Sequence, residues 1–215
     1  MLGLVHVVDD DASFRTAIER RLRHAGYEVE THSSAQDLLD WLPGSAEKPG
    51  CILLDLQMPG LDGLELQSRL TVLGSILPIV FVSGHSDIPT TVRAIKAGAD
   101  DFLTKPIPSD QMIAAIERAL ARCDLVRSQR TELDSFQGLI ASLTPRERQV
   151  FSLIVRGKMN KQIASELGTT ERTVKAHRHE VMEKLQAPSF AELVSRAVRL
   201  GGLGPDANSG NSRMF

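Results

Sequence analysis

Leu4-Val5-His6-Val7-Val8-Asp9-Asp10 is a short, mostly β-branched apolar run that stops on two carboxylates. A run of that length and composition reads as a buried strand. The same ending recurs along the first half of the chain. Cys51 to Leu54 stops on Asp55, Pro78 to Val82 stops on Ser83, and Asp101 to Leu103 is followed by Lys105-Pro106. Glu28 to Thr31 supplies a fifth run, and helical patterns lie between the runs. Ala12 to His24 carries Phe14, Ile18 and Leu22 at spacings of four, with Gly26 as a C-cap. Ala35 to Leu42 carries Leu38, Leu39, Trp41 and Leu42 ahead of Pro43-Gly44. Leu64 to Leu73 and Ile88 to Ala97 complete the set, the latter closed by Gly98. Strands alternating with helices of this length predict an α/β fold, a doubly wound five-stranded parallel sheet with helices on both faces.

In such a sheet ligands bind beyond the carboxyl ends of the strands, where Asp9, Asp10, Asp55, Ser83 and Lys105 all fall. Three carboxylates crowded together repel one another, so a cation is implied, and hard oxygen donors in an open cleft suit Mg²⁺. Mn²⁺ or Ca²⁺ are hard enough to substitute. A carboxylate beside such an ion can attack phosphorus and form an aspartyl phosphate, with Asp55 as the candidate nucleophile. Taken singly, each piece has a plainer reading. Asp9-Asp10 also reads as solvated loop carboxylates or a helix N-cap, Asp55 as a strand end, and Lys105-Pro106 as a surface turn. Their order and shared position at strand ends favour the pocket.

The strings Val7-Val8-Asp9-Asp10, Leu54-Asp55-Leu56-Gln57-Met58-Pro59-Gly60, Val82-Ser83-Gly84-His85, Lys96-Ala97-Gly98-Ala99-Asp100-Asp101-Phe102 and Lys105-Pro106 span Leu4 to about Cys123. Together they resemble a response-regulator receiver domain, the CheY-like module of two-component signalling. The resemblance implies that a cognate sensor histidine kinase phosphorylates Asp55. It implies that Asp10, Asp55 and the Gln57 backbone carbonyl ligate Mg²⁺, with Asp9 acting through water. It gives Ser83 and Lys105 the phosphoryl oxygens and makes Ser83 and Phe102 the switch pair; without it, Phe102 reads equally as a core aromatic. Lys105 is a compact point charge expected to pair with Asp55 when no phosphate is present. Ser83 offers one hydroxyl donor where the family often has Thr. Gln57 and His85 flank the pocket, His85 as a solvated loop residue.

The net charge of −2 conceals two unlike halves. Residues 1–120 hold ten Lys/Arg against seventeen Asp/Glu, whereas residues 139–200 hold eleven against six. A basic module beside an acidic one suggests a polyanion partner, although a solvated helix face carries the same charges. Leu143-Thr144-Pro145-Arg146-Glu147 is a helix start with Thr144 as N-cap, Pro145 at N1 and Glu147 closing a capping box. That helix ends at Gly157. A short helix, Lys161 to Leu167, closes at Gly168, and a longer one runs from the N-cap Thr170 to about Leu185. Phe190 to Leu200 forms a fourth. Helix, Gly-containing turn and longer basic helix read as helix-turn-helix.

Thr144-Pro145-Arg146-Glu147, Asn160-Lys161-Gln162-Ile163-Ala164, Leu167-Gly168 and Thr173-Val174-Lys175-Ala176-His177 resemble the LuxR-type DNA-binding domain of the NarL/FixJ family. The resemblance implies that Lys175, Ala176 and His179 face the major groove of promoter DNA, with His177 and Arg178 close by. It brings Asn160, Lys161 and Thr173 to phosphates. Lys donates equally well to guanine and to phosphate, so base and backbone roles stay open here. Family members carry basic residues where this chain has His179.

Four segments are expected: a receiver over residues 1–121, a helical interdomain linker over 122–138, the DNA-binding domain over 139–200 and a disordered tail over 201–215. Ser109 to Leu143 contains no Pro, and Leu133, Phe136, Ile140 and Leu143 keep helical spacing, so the last receiver helix is expected to run on. The polar stretch Arg127-Ser128-Gln129-Arg130-Thr131 keeps a flexible linker as the alternative. Cys51 and Cys123 form no motif and read as free thiols in a reducing cytoplasm. No apolar run reaches the length of a membrane span, so no membrane partner is expected.

The two resemblances together imply a response regulator of the FixJ branch that is not a turnover enzyme. Phosphorylation at Asp55 would shift Ser83, Phe102 and the helix Ile88 to Ala97, and so produce a homodimer that binds DNA and recruits RNA polymerase. Two rival readings are a DNA-binding regulator with a vestigial receiver, and a Mg²⁺-dependent phosphatase working through an aspartyl intermediate. Against the second, haloacid-dehalogenase-type phosphatases place an acid two residues after the nucleophile, where this chain has Gln57.

Overall fold

The protein, studied as a computed structural model, is described over residues 2–42, 48–84 and 88–201. Pro43, Gly44, His85 and all but the first residue of the C-terminal tail lie outside that range. The chain divides into two compact units, Met1–Ser128 and Gln129–Phe215.

In the first unit strands and helices alternate: β1 (Leu4–Val8), α1 (Ala12–His24), β2 (Glu28–His32), α2 (Ala35–Trp41), β3 (Gly50–Asp55), α3 (Gly63–Val72), β4 (Ile79–Ser83), α4 (Ile88–Lys96) and β5 (Asp101–Thr104). A long α5 follows, Ser109–Ala141. Its first part belongs to the first unit and its last part to the second, and Arg127 to Thr131 lie within it. The sheet is fully parallel with order β2-β1-β3-β4-β5. That is the flavodoxin-like winding, whose order reverses between β1 and β3. The crevice at the switch point therefore opens beside the ends of β1 and β3, where Asp9, Asp10 and Asp55 stand.

Alternation along the buried strands builds two cores. Val5, Val7, Leu53, Val80 and Val82 pack with Ile18 and Leu22 of α1 and Met112, Ile116 and Leu120 of α5. Val8, Ile52, Leu54 and Phe81 pack on the other face with Leu38, Leu66, Leu70 and Ala94 from α2, α3 and α4. The strands extend one residue beyond the apolar pattern, because Asp55 pairs in register with Val82 and Ser83 with Thr104. At the start of α3 only glycine fits: a Cβ on Gly63 would lie 2.5 Å from the Asp55 carbonyl oxygen and 2.9 Å from the Phe81 ring. α3 thus presses directly on the end of β3.

His6 of β1 and His32 of β2 are buried, with His6 Nδ1 and His32 Nε2 3.2 Å apart and the Trp41 ring edge-on to both. Burial, reinforced by the neighbouring His32, pushes the His6 imidazole down to about 4. Burial also lowers His32, with Asp37 and Glu30 opposing. The unfolded chain protonates His6 near 6.5 and the folded unit only near 4, so unfolding takes up a proton between those values. Stability from this site is complete above the unfolded value and falls as the pH drops toward 4. Going from pH 7 to pH 5 should cost the receiver unit up to about 2 kcal/mol from His6. Urea unfolding followed by Trp41 emission should show that slope, and His6→Val should flatten it.

The second unit holds α6 (Pro145–Val155), α7 (Asn160–Glu166), α8 (Glu171–Lys184) and α9 (Phe190–Arg199). Phe151, Ile163, Val174, Val181 and Leu193 are fully buried at its centre, joined by Phe136 from the end of α5. The expected capping box forms at α6: the Thr144 hydroxyl accepts from Glu147 N, and Glu147 Oε2 accepts from Thr144 N at 2.9 Å. The Glu147 carboxylate also accepts from Lys184 Nζ at 2.8 Å on both oxygens, tying the start of α6 to the end of α8. That bond, with the Thr144 backbone, holds Glu147 below the usual carboxylate range.

Candidate functional site

Asp55 is the last residue of β3 and is almost fully buried. Its Oδ1 accepts from Gln57 N at 3.3 Å, and its Oδ2 accepts from Lys105 Nζ at 3.0 Å. Asp9, buried at the end of β1, accepts from Asp11 N through Oδ1 at 2.8 Å and from Lys105 Nζ through Oδ2 at 2.6 Å. Asp10 stands exposed beside them, and one oxygen of each of the three carboxylates lies within 4.8 Å of the others. Lys105 is reached through the loop after β5; its backbone N donates to the Ser83 carbonyl at 2.8 Å, which fixes the loop to the end of β4. Ser83 is buried at that strand end, and Phe102 on β5 is half-buried with its ring centre 6.3 Å from that of Phe81. Asp9, Asp10, Asp55, Gln57, Ser83 and Lys105 lie at this one edge, Phe102 sits further back on β5 beside Phe81, and His85 falls outside the described residues.

The electrostatics are those of an anion-crowded crevice served by one ammonium. Burial raises the Asp55 carboxyl, and the Asp9 charge adds to that rise against the opposing hydrogen bond from Lys105. For Lys105 burial alone would lower the ammonium, but hydrogen bonds to Asp9 and Asp55 outweigh it and leave it raised. One cation between two carboxylates cannot fully compensate either. The donor set is all oxygen, clustered and partly open, and it fits a hard divalent cation such as Mg²⁺ with Asp9, Asp10 and Asp55 as the residues to hold it.

Two contacts of Lys105 are not legible in the sequence. Lys105 lies closer to Asp9 than to its expected partner Asp55. Its ammonium also lies 4.1 Å from the centre of the Phe14 ring. Only the convergence of β1, β3 and the β5 loop creates these contacts; the one available signal was an aromatic residue in the first turn after Asp9-Asp10.

In the second unit α7 and α8 are joined by a turn containing Gly168, whose φ is 61°. On α8, Lys175, Ala176 and His179 are exposed along one face, while His177 and Thr173 are half-buried. The Thr173 hydroxyl is 2.9 Å from that of Thr170, and His179 Nε2 is 3.8 Å from Glu183 Oε1. Arg178 is half-buried with its guanidinium 4.0 Å over the Phe190 ring, and burial lowers its pKa. Lys161 is exposed in the first turn of α7 and Asn160 is half-buried at its start. Arg172, exposed one turn before Lys175 and Ala176, belongs with the same basic surface and was not singled out from the sequence.

A parallel-sheet unit with a carboxylate and lysine crevice, followed by a basic helix-turn-helix unit, defines a signal-responsive DNA-binding regulator. Residues 5–117 match the family described as response regulator receiver domain, and residues 141–197 match the one described as bacterial regulatory proteins, luxR family. The chain is 41% identical over 201 residues to the transcriptional regulatory protein FixJ of Bradyrhizobium diazoefficiens, covering 94% of this chain and 97% of that one. It is also 41% identical to the response regulator protein TodT of Pseudomonas putida, covering 92% and 86%. Among solved structures, the response regulator StyR matches with a TM-score of 0.74 at 47% identity, over 91% of this chain and 98% of that one. Full-length FixJ from B. japonicum matches with a TM-score of 0.56 at 41% identity, over 93% and 97%. The chain belongs to the two-component response regulators that join a receiver to a LuxR-type DNA-binding domain, and it is a transcription regulator. No helix among the described residues is long and apolar enough to cross a membrane.

Proposed function

We propose that Asp55 takes a phosphoryl group from a sensor histidine kinase, and that this modification controls dimerisation and DNA binding. The observation that carries the reading is the buried Asp55 carboxylate with Lys105 Nζ at 3.0 Å and two more carboxylates in one cluster at the switch point. An Asp55 oxygen forms the new bond to phosphorus. The phosphorus–nitrogen bond of the phosphohistidine breaks, and its electron pair stays on the imidazole. Asp10, Asp55 and the Gln57 carbonyl would hold Mg²⁺, with Asp9 acting through water, and the ion would supply charge neutralisation for the phosphoryl oxygens. Lys105 leaves its contact with Asp55 to meet one of those oxygens, and the Ser83 hydroxyl donates to another. Phe102 follows Ser83. Such a pocket modifies the protein itself and does not turn over an external substrate.

The output surface on this reading is α4, where Ile88, Val92 and Ile95 are exposed at helical spacing. Dimerisation through that stripe would give paired DNA-binding units, and the second half-site would then be engaged at high effective concentration. Lys175, Ala176 and His179 read the major groove, with Asn160, Lys161 and Thr173 at phosphates. His177 and Arg178 act from behind that face; the stacking of Arg178 on Phe190 supports a positioning role for it. We assign residues 1–121 to the receiver, 122–138 to a helical linker and 139–200 to the DNA-binding domain, in a cytoplasmic protein that recruits RNA polymerase. Incubation with labelled acetyl phosphate and Mg²⁺ should leave close to one acid-stable, hydroxylamine-labile phosphoryl group per chain. Continuous release of phosphate without retained label would instead favour a phosphatase.

A further inference from the structure

Phe14 lies in the first turn of α1, and its ring centre is 4.1 Å from the Lys105 ammonium. Three features fix that ring. The Asp11 carboxylate caps the helix by accepting from Ser13 N at 2.8 Å and Phe14 N at 3.2 Å. Asp11 N in turn donates to Asp9 Oδ1 at 2.8 Å, and Arg15 Nη1 donates to the Asp9 carbonyl at 2.6 Å. The ring itself packs against the core shared by β1 and α5. The first turn of α1 is thereby locked to the end of β1, and the ring is held as a fixed wall of the crevice. A partly desolvated ammonium at this distance is attracted to the negative face of an aromatic ring, an attraction that an aliphatic side chain of similar bulk does not provide.

We propose that Phe14 is a positioning residue for phosphoryl transfer: its ring face holds the Lys105 ammonium at the mouth of the crevice, where an incoming phosphoryl oxygen meets it. The carboxylates of Asp9 and Asp55 draw Lys105 inward, and the ring draws it from the α1 side. Lys105 therefore has an attraction that persists when phosphorylation takes Asp55 away as its partner. This inference rests on the reading of Asp55 as phosphoacceptor. It adds an electronic requirement at Phe14 that packing alone does not impose.

The test uses the full chain with Phe14 replaced by mono-, di- and trifluorinated phenylalanines, which keep the shape of the ring while draining its face of electron density, together with Phe14→Leu and Phe14→Tyr. The initial rate of phosphoryl uptake from acetyl phosphate with Mg²⁺ is measured, alongside the melting temperature and the NMR shift of the Lys105 ε-methylene. Uptake should fall stepwise with each fluorine, reaching roughly five-fold for the trifluoro ring and for Leu. Tyr should stay near the native rate, and the melting temperature should be unchanged across the fluorinated series. The native chain should show an upfield ring-current shift at Lys105 that Phe14→Leu removes. A rate that is flat across the fluorinated series while Leu slows it would make Phe14 a packing residue and overturn the proposal, as would an absent ring-current shift. A native chain with the ring-current shift but no uptake would refute the phosphoacceptor reading, and the proposal with it, while leaving the placement of the ring intact.

Discussion

Asp55→Asn is expected to abolish phosphoryl uptake and leave the fold intact. The amide keeps the size and planarity of the carboxylate at the end of β3 but has no nucleophilic oxygen, and Gln57 N retains an acceptor. Uptake from labelled acetyl phosphate should drop by at least about a hundred-fold, to background, because a group that forms the covalent bond has no substitute. Stability should not fall. In the native pocket burial and the Asp9 charge disfavour the ionised Asp55, and removing that charge leaves Lys105 paired with Asp9 at 2.6 Å. The melting temperature is expected to be equal or slightly higher. Stoichiometric labelling of the Asn variant would show that another residue is the acceptor.

Lys175→Ala is expected to weaken DNA binding by about 1–3 kcal/mol, a factor of roughly 5 to 150, with phosphoryl uptake unchanged. Lys175 is exposed on the outer face of α8 and has no ion-pair partner among the described residues, so its loss removes a DNA contact without breaking a structural one. Anisotropy titrations at several salt concentrations separate its two possible jobs. A phosphate contact should reduce the salt slope by about one and weaken all sequences alike, whereas a guanine contact should relax specificity at one base pair. Unchanged affinity on every DNA would remove Lys175 from the contact set and leave Arg172 and His179 on the same face as the next to test.

Most of the architecture was legible because two periods dominate the sequence. Five short strand-type runs stand out between helical patterns, and Gly26, Gly98, Gly157 and Gly168 mark helix ends that all adopt positive φ. The apolar runs stop one residue short of the strand ends at Asp55 and Ser83. Hydrophobicity stops there, but the hydrogen-bonded ladder continues, and the candidate groups of Asp55 and Ser83 sit on the ladder's last rung. Asp9, Asp10, Asp55, Ser83 and Lys105 stand out as candidates because each closely follows an apolar run. The finer balance was not legible. That Lys105 divides itself between Asp9, Asp55 and the Phe14 ring depends on three segments converging from distant parts of the chain. Similarly, Arg178 reads as one more basic residue of a recognition helix, until α9 places Phe190 beneath its guanidinium.

The pocket's raised Asp55 and its doubly bonded Lys105 describe a site that gains by accepting a compensating ligand, and the apolar stripe on α4 offers a surface for the consequence. On this reading occupancy of the pocket controls association and DNA binding, and that dependence can be measured. It is tested most directly with the full chain and Mg²⁺ in the presence and absence of beryllofluoride, which on the Asp55 carboxylate stands in for the phosphoryl group. Sedimentation should show the dimer favoured by beryllofluoride, and anisotropy on DNA containing an inverted repeat, recovered by in-vitro selection with the chain, should show affinity at least about ten-fold higher. Equal mass and equal DNA affinity in both conditions would contradict the account and leave a regulator whose receiver pocket does not control its output.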